Sequence, residues 1–152
     1  MSVTLDSEVE TRIRKHARKG YPEETCGFLL GQVGQGPFGQ EPRVIEAMIP
    51  VPNQQQDERR RRFLMGPEAF REAERRALEE GLDVVGVYHS HPDHPAVPSE
   101  VDRKHAWPWY SYLIIAVTKG EPGPIRAWQL EEDRSDFREE TLEVPEVGPS
   151  RT

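Results

Sequence analysis

Two of the chain's five histidines stand one residue apart, in the run His89-Ser90-His91-Pro92. Residues two apart in a strand point to the same face, so this spacing aims both imidazoles at one place. Ser99 and Asp102 follow, three residues apart and just after Pro98. On a turn of helix they share a face. Two imidazoles and a carboxylate make a three-ligand set, the pattern of a catalytic zinc that keeps its fourth position for water. A structural zinc would want four closing ligands, usually with thiolates, and this chain has a single cysteine. Ser99-x-x-Asp102 also has the form of a helix capping box, and a His-x-His pair arises easily by chance. The combined pattern of His-x-His-Pro, six residues, Ser, two residues and Asp is far rarer than its parts.

A zinc of this kind lowers the pKa of its water to about 7, but hydrolysis also needs a base to take the proton and pass it to the leaving group. That base should be a carboxylate near the metal and not bound to it. The segment Glu23-Glu24-Thr25-Cys26-Gly27-Phe28-Leu29-Leu30-Gly31 places carboxylates just before an apolar strand able to pack beside the histidine strand. Within it Cys26 reads as a small buried strand residue, with a reactive thiol or a fourth metal ligand as the alternative. His94 and His105 flank the motif, either lining a cleft or simply exposed.

The elements that must position these groups are legible from periodicity and punctuation. Ser7-Glu8-Val9-Glu10 has the form of a capping box, and Val9, Ile13, His16 and Ala17 fall on one face of a first helix closed by Gly20-Tyr21-Pro22. Strands are expected at Thr25–Leu30 and Arg43–Ile49, joined by a glycine-rich turn that is a hairpin connection or a lip over a groove. That turn lacks the Lys-Ser/Thr ending of a phosphate loop. Asn53 to Arg62 reads as a surface loop, with four consecutive arginines at 59–62 that could meet an acidic partner. A second helix is expected from Pro67 to Glu80, with Gly81 past its end and Phe70, Ala73, Ala77 and Leu78 as its apolar stripe. Val84–Tyr88 is the apolar run of a buried strand, and further strands are expected at Tyr112–Val117, Ile125–Leu130 and Leu142–Val144. This is an α/β (α+β) pattern: a mixed sheet with a helix against each side.

Composition narrows the classes. A chain of 152 residues with a net charge of −7 fits one domain, expected over 1–145 with 146–152 as a flexible C-terminal tail, and argues against a non-specific nucleic-acid binder. Eight carboxylates between Glu131 and Glu146 read as a solvated stretch. No window is long and apolar enough for a membrane span, the N-terminus lacks a secretory signal, and one cysteine suits a reducing cytoplasm.

Two segments, Glu24-x-x-Gly27-x-Leu29-x-Gly31 and His89-x-His91-Pro92-x6-Ser99-x2-Asp102, resemble the JAMM (MPN-plus, Mov34/Pad1) zinc metallopeptidases in residue identity and spacing. The resemblance implies an MPN/JAB-like fold, a sandwich of the cytidine-deaminase kind. It also implies one zinc per chain held by His89, His91 and Asp102, Glu24 as general base and acid, and Ser99 as donor to the oxyanion. Glu23 is the rival for the base, and the Glu-x-x-Gly spacing selects Glu24. Family members cut amides at the C-terminal glycine of ubiquitin or ubiquitin-like proteins. Only about nine residues separate Asp102 from the next strand, so the long insertion of the eukaryotic deubiquitinating members is absent, and the chain looks like the small stand-alone prokaryotic branch. Hydrolysis of a ubiquitin-like sulfur-carrier protein at its Gly-Gly tail is then the leading expectation. The tail would add as a strand at a sheet edge, and Trp107, Trp109 and Tyr110 would wall it or pack in the core. The alternatives are an isopeptidase acting on conjugates of such proteins and a catalytically silent MPN scaffold. A nucleoside deaminase would need a Pro-Cys-x-x-Cys pair that one cysteine cannot supply.

Overall fold

The computed structural model describes residues 2–145, so the expected tail at 146–152 lies outside the described residues. The chain opens with a strand that periodicity did not reveal, β1 (Ser2–Leu5), because four residues are too few to show a pattern. Helix α1 (Ser7–Gly20) follows, capped by Asp6, whose side chain accepts from the Glu8 N–H at 2.8 Å, and not by the expected Ser7 box. Val9, Ile13 and Ala17 form its buried stripe, as their spacing requires.

Strands β2 (Cys26–Val33) and β3 (Arg43–Val51) make a hairpin. Helix α2 (Pro67–Glu80) has the expected bounds and ends on Gly81 in the left-handed conformation. Its stripe is narrower than expected: Ala73 and Ala77 are buried, whereas Leu78 is 82% exposed. Beyond it come β4 (Asp83–Pro92), the short helix α3 (Glu100–His105), β5 (Ser111–Thr118), β6 (Glu121–Leu130) and β7 (Phe137–Glu143).

The mixed sheet closes on itself in the order β1-β3-β2-β4-β5-β6-β7, with β1 pairing parallel to both β3 and β7. Every strand therefore has a neighbour on both sides, but β1 covers only residues 43–45 of β3 and 141–143 of β7. Closure also refines the reading of the acidic segment as a solvated stretch: Glu132, Asp133, Asp136, Glu139 and Glu143 are exposed, and Glu140 is the exception. Residues 137–143 are a barrel strand, and Glu140 is buried and accepts from Ser111 Oγ at 2.9 Å.

The two helices take opposite faces. Helix α1 packs with Leu29, Ile45, Val85, Tyr88 and Leu113, while α2 packs with Phe28, Leu30, Val51 and Val84. Strand β4 carries one extra residue: Leu29 faces Gly86 and Leu30 faces Val84, leaving Val85 bulged. The bulge shifts the alternation by one, so Val84, Val87, His89 and His91 share the α2 side, and Tyr88 and Ser90 turn to the α1 side. The carbonyl of Val85 accepts from Arg43 Nη1 at 3.1 Å, and the side chain of Arg43 is fully buried. This guanidinium lies 4.3 Å from the Trp109 ring centre and 3.8 Å from Glu41, near Ser111 and Glu140.

Candidate metal centre and active site

His89 and His91 leave the end of β4 with their rings 5.0 Å apart, and both residues are buried. Asp102 comes to them from the first turn of α3. Its Oδ2 is 3.0 Å from His91 Nε2 and its Oδ1 is 3.7 Å from His89 Nε2. The capping box is present as well: Ser99 Oγ accepts from the Asp102 N–H at 3.0 Å, and Asp102 Oδ2 accepts from the Ser99 N–H at 2.9 Å. Capping and metal-site readings are therefore not rivals. The cap is the device that aims the carboxylate at the two rings.

Glu24 sits just before β2 and is 5% exposed, with Oε1 at 3.8 Å from His89 Nδ1. Glu23 beside it is exposed. Three hydrogen bonds hold Thr25, the residue after Glu24, to Ser90, the residue between the histidines. The N–H and hydroxyl of Thr25 donate to Ser90 Oγ at 2.8 and 3.0 Å, and the Ser90 N–H donates to the Thr25 carbonyl at 3.0 Å. Gly27 is needed for this close pairing, since a Cβ there would lie 2.5 Å from the Ile49 carbonyl oxygen and 2.7 Å from the Tyr88 ring.

The electrostatics suit a cation. Burial lowers the pKa of His89 to about 4, leaving a neutral imidazole with a free lone pair. Burial, and then the charge of Asp102, pushes Glu24 up to about 9. Asp102 is itself opposed by burial, but His89, His91 and the Ser99 N–H outweigh it and hold the carboxyl well below its usual range. The Nδ1 of His91 is 2.8 Å from the Pro95 carbonyl, which can only accept, so Nδ1 carries a hydrogen and Nε2 is the ring atom that faces Asp102. Two acceptors 3.0 Å apart repel unless a proton or a metal ion lies between them. Glu24 Oε1 and His89 Nδ1 are buried and unpartnered as well. These donors fit a divalent metal.

Glu24, His89 and His91 offer ligand atoms within 4.8 Å of one another, so geometry admits that trio beside His89, His91 and Asp102. Cys26 is a buried strand residue whose thiol donates to the Val51 carbonyl at 3.4 Å, and burial with the Glu24 charge raises its pKa to about 12. His94 is exposed, and His105 lines a groove.

That groove, of ≈ 930 Å³, is lined by His89 and Asp102 together with Phe63, Leu64, Phe70, His105, Trp107 and Tyr110. Trp107 is 67% exposed there, and Trp109 instead turns its indole N–H to Glu41 at 3.0 Å. The glycine-rich β2–β3 connection lines none of it. Three participants carried no recognisable signal: Ser90, Asn53 and Phe63. The Phe63 ring stacks on His89 with centres 4.6 Å apart. Asn53 Nδ2 donates to the carbonyls of Glu24 at 3.1 Å and Arg62 at 2.9 Å.

Residues 6–131 match the family model described as prokaryotic homologs of the JAB domain. A desampylase of Haloferax volcanii is 36% identical over 75% of this chain and 80% of its own. The Thermus thermophilus protein named Probable TtuB-protein conjugate cleaving protease is 33% identical over 78% and 70%, and the CysO-cysteine peptidase of Mycobacterium tuberculosis 30% over 76% and 73%. Among solved structures, a Desulfitobacterium hafniense protein superposes with a TM-score of 0.79 at 30% identity, covering 95% of this chain and 94% of that one.

Proposed function

The chain belongs to the family of prokaryotic JAB-domain homologues, and from that premise we propose that it is a zinc peptidase. Its substrate is a ubiquitin-like sulfur-carrier protein, cut after the C-terminal glycine. The observation that carries this reading is the convergence of His89, His91 and Asp102 beside a buried Glu24, with His89 and Asp102 lining a largely apolar groove of ≈ 930 Å³. Relatives named for cleaving TtuB–protein conjugates and CysO–cysteine support the substrate class.

His89, His91 and Asp102 would hold the zinc. Asp102 is preferred over Glu24 as the third ligand because its two oxygens face both Nε2 atoms, whereas Glu24 approaches His89 at Nδ1. When bound, zinc supplies Lewis acidity and makes water a nucleophile at neutral pH. Burial and the Asp102 charge hold the Glu24 carboxyl protonated near neutrality, so Glu24 would serve as base once a bound cation favours its ionised form, taking a proton from water and returning it to the departing nitrogen. Ser99 accepts from Asp102 N–H, which leaves its hydroxyl hydrogen free to donate to the oxyanion. The Pro95 carbonyl keeps His91 in its ligating tautomer. A silent scaffold would not need all four groups assembled in one buried cluster. Residues 1–145 act as one domain in this reading, and the cytoplasm is its compartment; no helix among the described residues is long and apolar enough to cross a membrane.

The test is incubation of the purified chain with ubiquitin-like carriers extended past their Gly-Gly ends, with and without a chelator, followed by mass spectrometry. Cleavage directly after Gly-Gly, lost on chelation and restored by one equivalent of zinc, is expected. Cleavage that survives complete zinc removal overturns the metallopeptidase reading.

A further inference from the structure

The run Arg59-Arg60-Arg61-Arg62 is exposed along its whole length, in a chain whose net charge is −7. An exposed cationic run usually belongs to a loop that points anywhere. This one is fastened at both ends to the backbone of Glu24. The Glu24 N–H donates to the Arg59 carbonyl at 2.7 Å. At the other end, Asn53 Nδ2 bridges the carbonyls of Glu24 and Arg62. Asn53 Oδ1 also accepts from the N–H groups of Gln55 and Leu64, both at 3.0 Å, so one side chain closes the loop. The arginines therefore stand at a set distance from the candidate base, and Arg62 and Phe63 continue directly into the groove wall.

Their charges are unequally engaged. Arg62 lies 3.6 Å from Glu58, and Arg59 Nε donates to the Gln55 carbonyl at 2.7 Å. Glu23 and Asp57 share the same face, with Asp57 accepting from Gln55 Nε2 at 3.2 Å. Among the described residues, Arg61 has no ion-pair partner, and Arg60 acts electrostatically on the Tyr21 phenol, which donates to Asp93 at 2.6 Å. Arg60 and Arg61 precede the groove-lining Arg62 on a backbone fastened to Glu24, in a shallow depression beside the groove that they share with Glu23, Asp57 and Glu58. Two cations there are complementary to a chain that is apolar or glycine-rich where it enters the groove and acidic just before.

Resting on the peptidase reading above, we propose that Arg60 and Arg61 dock an acidic segment of the protein substrate immediately upstream of the tail seated in the groove. The apolar groove accepts the tail, and the arginines select which proteins present it. Nucleic acid is disfavoured because the chain as a whole is acidic and would repel it beyond this one loop.

The test uses the full zinc-loaded chain and two fluorescent peptides with the same Gly-Gly-linked reporter, one with four glutamates upstream of the tail and one with four glutamines there. The glutamate peptide is expected to bind about tenfold more tightly by anisotropy at low salt. That preference should vanish in the R60E/R61E variant, shrink in R60Q/R61Q, and fade in 0.5 M salt. Equal affinity for the two peptides, a preference that survives R60E/R61E, or equal displacement by a single-stranded oligonucleotide would each overturn the proposal. Failure of the hydrolase reading shows separately, as selective binding of the glutamate peptide with neither peptide cut.

Discussion

Ser90, the residue between the two histidines, accepts both the N–H and the hydroxyl of Thr25, the neighbour of Glu24, at 2.8 and 3.0 Å. The pair is buried. It ties the end of the histidine strand to the start of the strand that carries the candidate base. Imidazoles and carboxylate are thus held in register by groups on the opposite face of β4.

Replacing Ser90 with alanine leaves two buried donors of Thr25 unpaired, which costs about 1–3 kcal/mol. Urea unfolding of the Ser90→Ala variant should show that loss. The kcat should fall further than KM moves, because the displaced group is the base and not the groove. Unchanged stability would refute the coupling.

Ser99 caps α3, and in the proposed mechanism it would also donate to the oxyanion. Ser99→Ala loses both: about 1 kcal/mol of helix cap and about 10²–10³ in rate. Ser99→Asn keeps a cap acceptor and offers an amide N–H in place of the hydroxyl, so zinc affinity should stay near wild type and part of the turnover should return. Wild-type turnover in Ser99→Ala would remove Ser99 from the mechanism.

Glu24→Gln should retain zinc, counted by elemental analysis, and nearly abolish hydrolysis, whereas Asp102→Asn should lose the metal. The reverse pattern would make Glu24, His89 and His91 the ligand set.

Arg43→Met is expected to cost about 3 kcal/mol or more in stability, because a buried charge is removed while Glu41, Glu140 and the Val85 carbonyl remain. Denaturant titration measures it. A neutral result would mean that the bulge at Val85 holds without its buried donor.

Cys26 should resist iodoacetamide at pH 8 in the native protein and react once unfolded, since burial and then Glu24 hold its pKa near 12 against an ordinary 9. A thiol raised on folding gives a contribution that is whole below about pH 9 and is lost as pH climbs through about 12. The native state should therefore weaken across that window, and Cys26→Ala should weaken less. Rapid native labelling at pH 8 would contradict this burial.

The chemistry of this protein was readable because each of its spacings is local. His89 and His91 lie two apart on a strand, Ser99 and Asp102 three apart on a turn, and α2 runs between a proline and a glycine that mark its ends. Leu78 was misread because amphipathic spacing gives the apolar side of a helix but not how far the sheet beneath it extends. Asn53 and Phe63 went unseen because their partners, Glu24 and His89, are 29 and 26 positions away in sequence.

The sequence by itself determined that two imidazoles share a face, and that a capped carboxylate follows them. Which face they share was decided only in the folded sheet. Counting by twos from Val84 would send His89 and His91 to the α1 side. The extra residue at Val85, set by how β4 pairs with β2 and sealed by Arg43 from β3, turns them to the α2 side instead, where His89 lines the groove. A bulge belongs to a pair of strands and not to either one, so no reading along a single segment contains it.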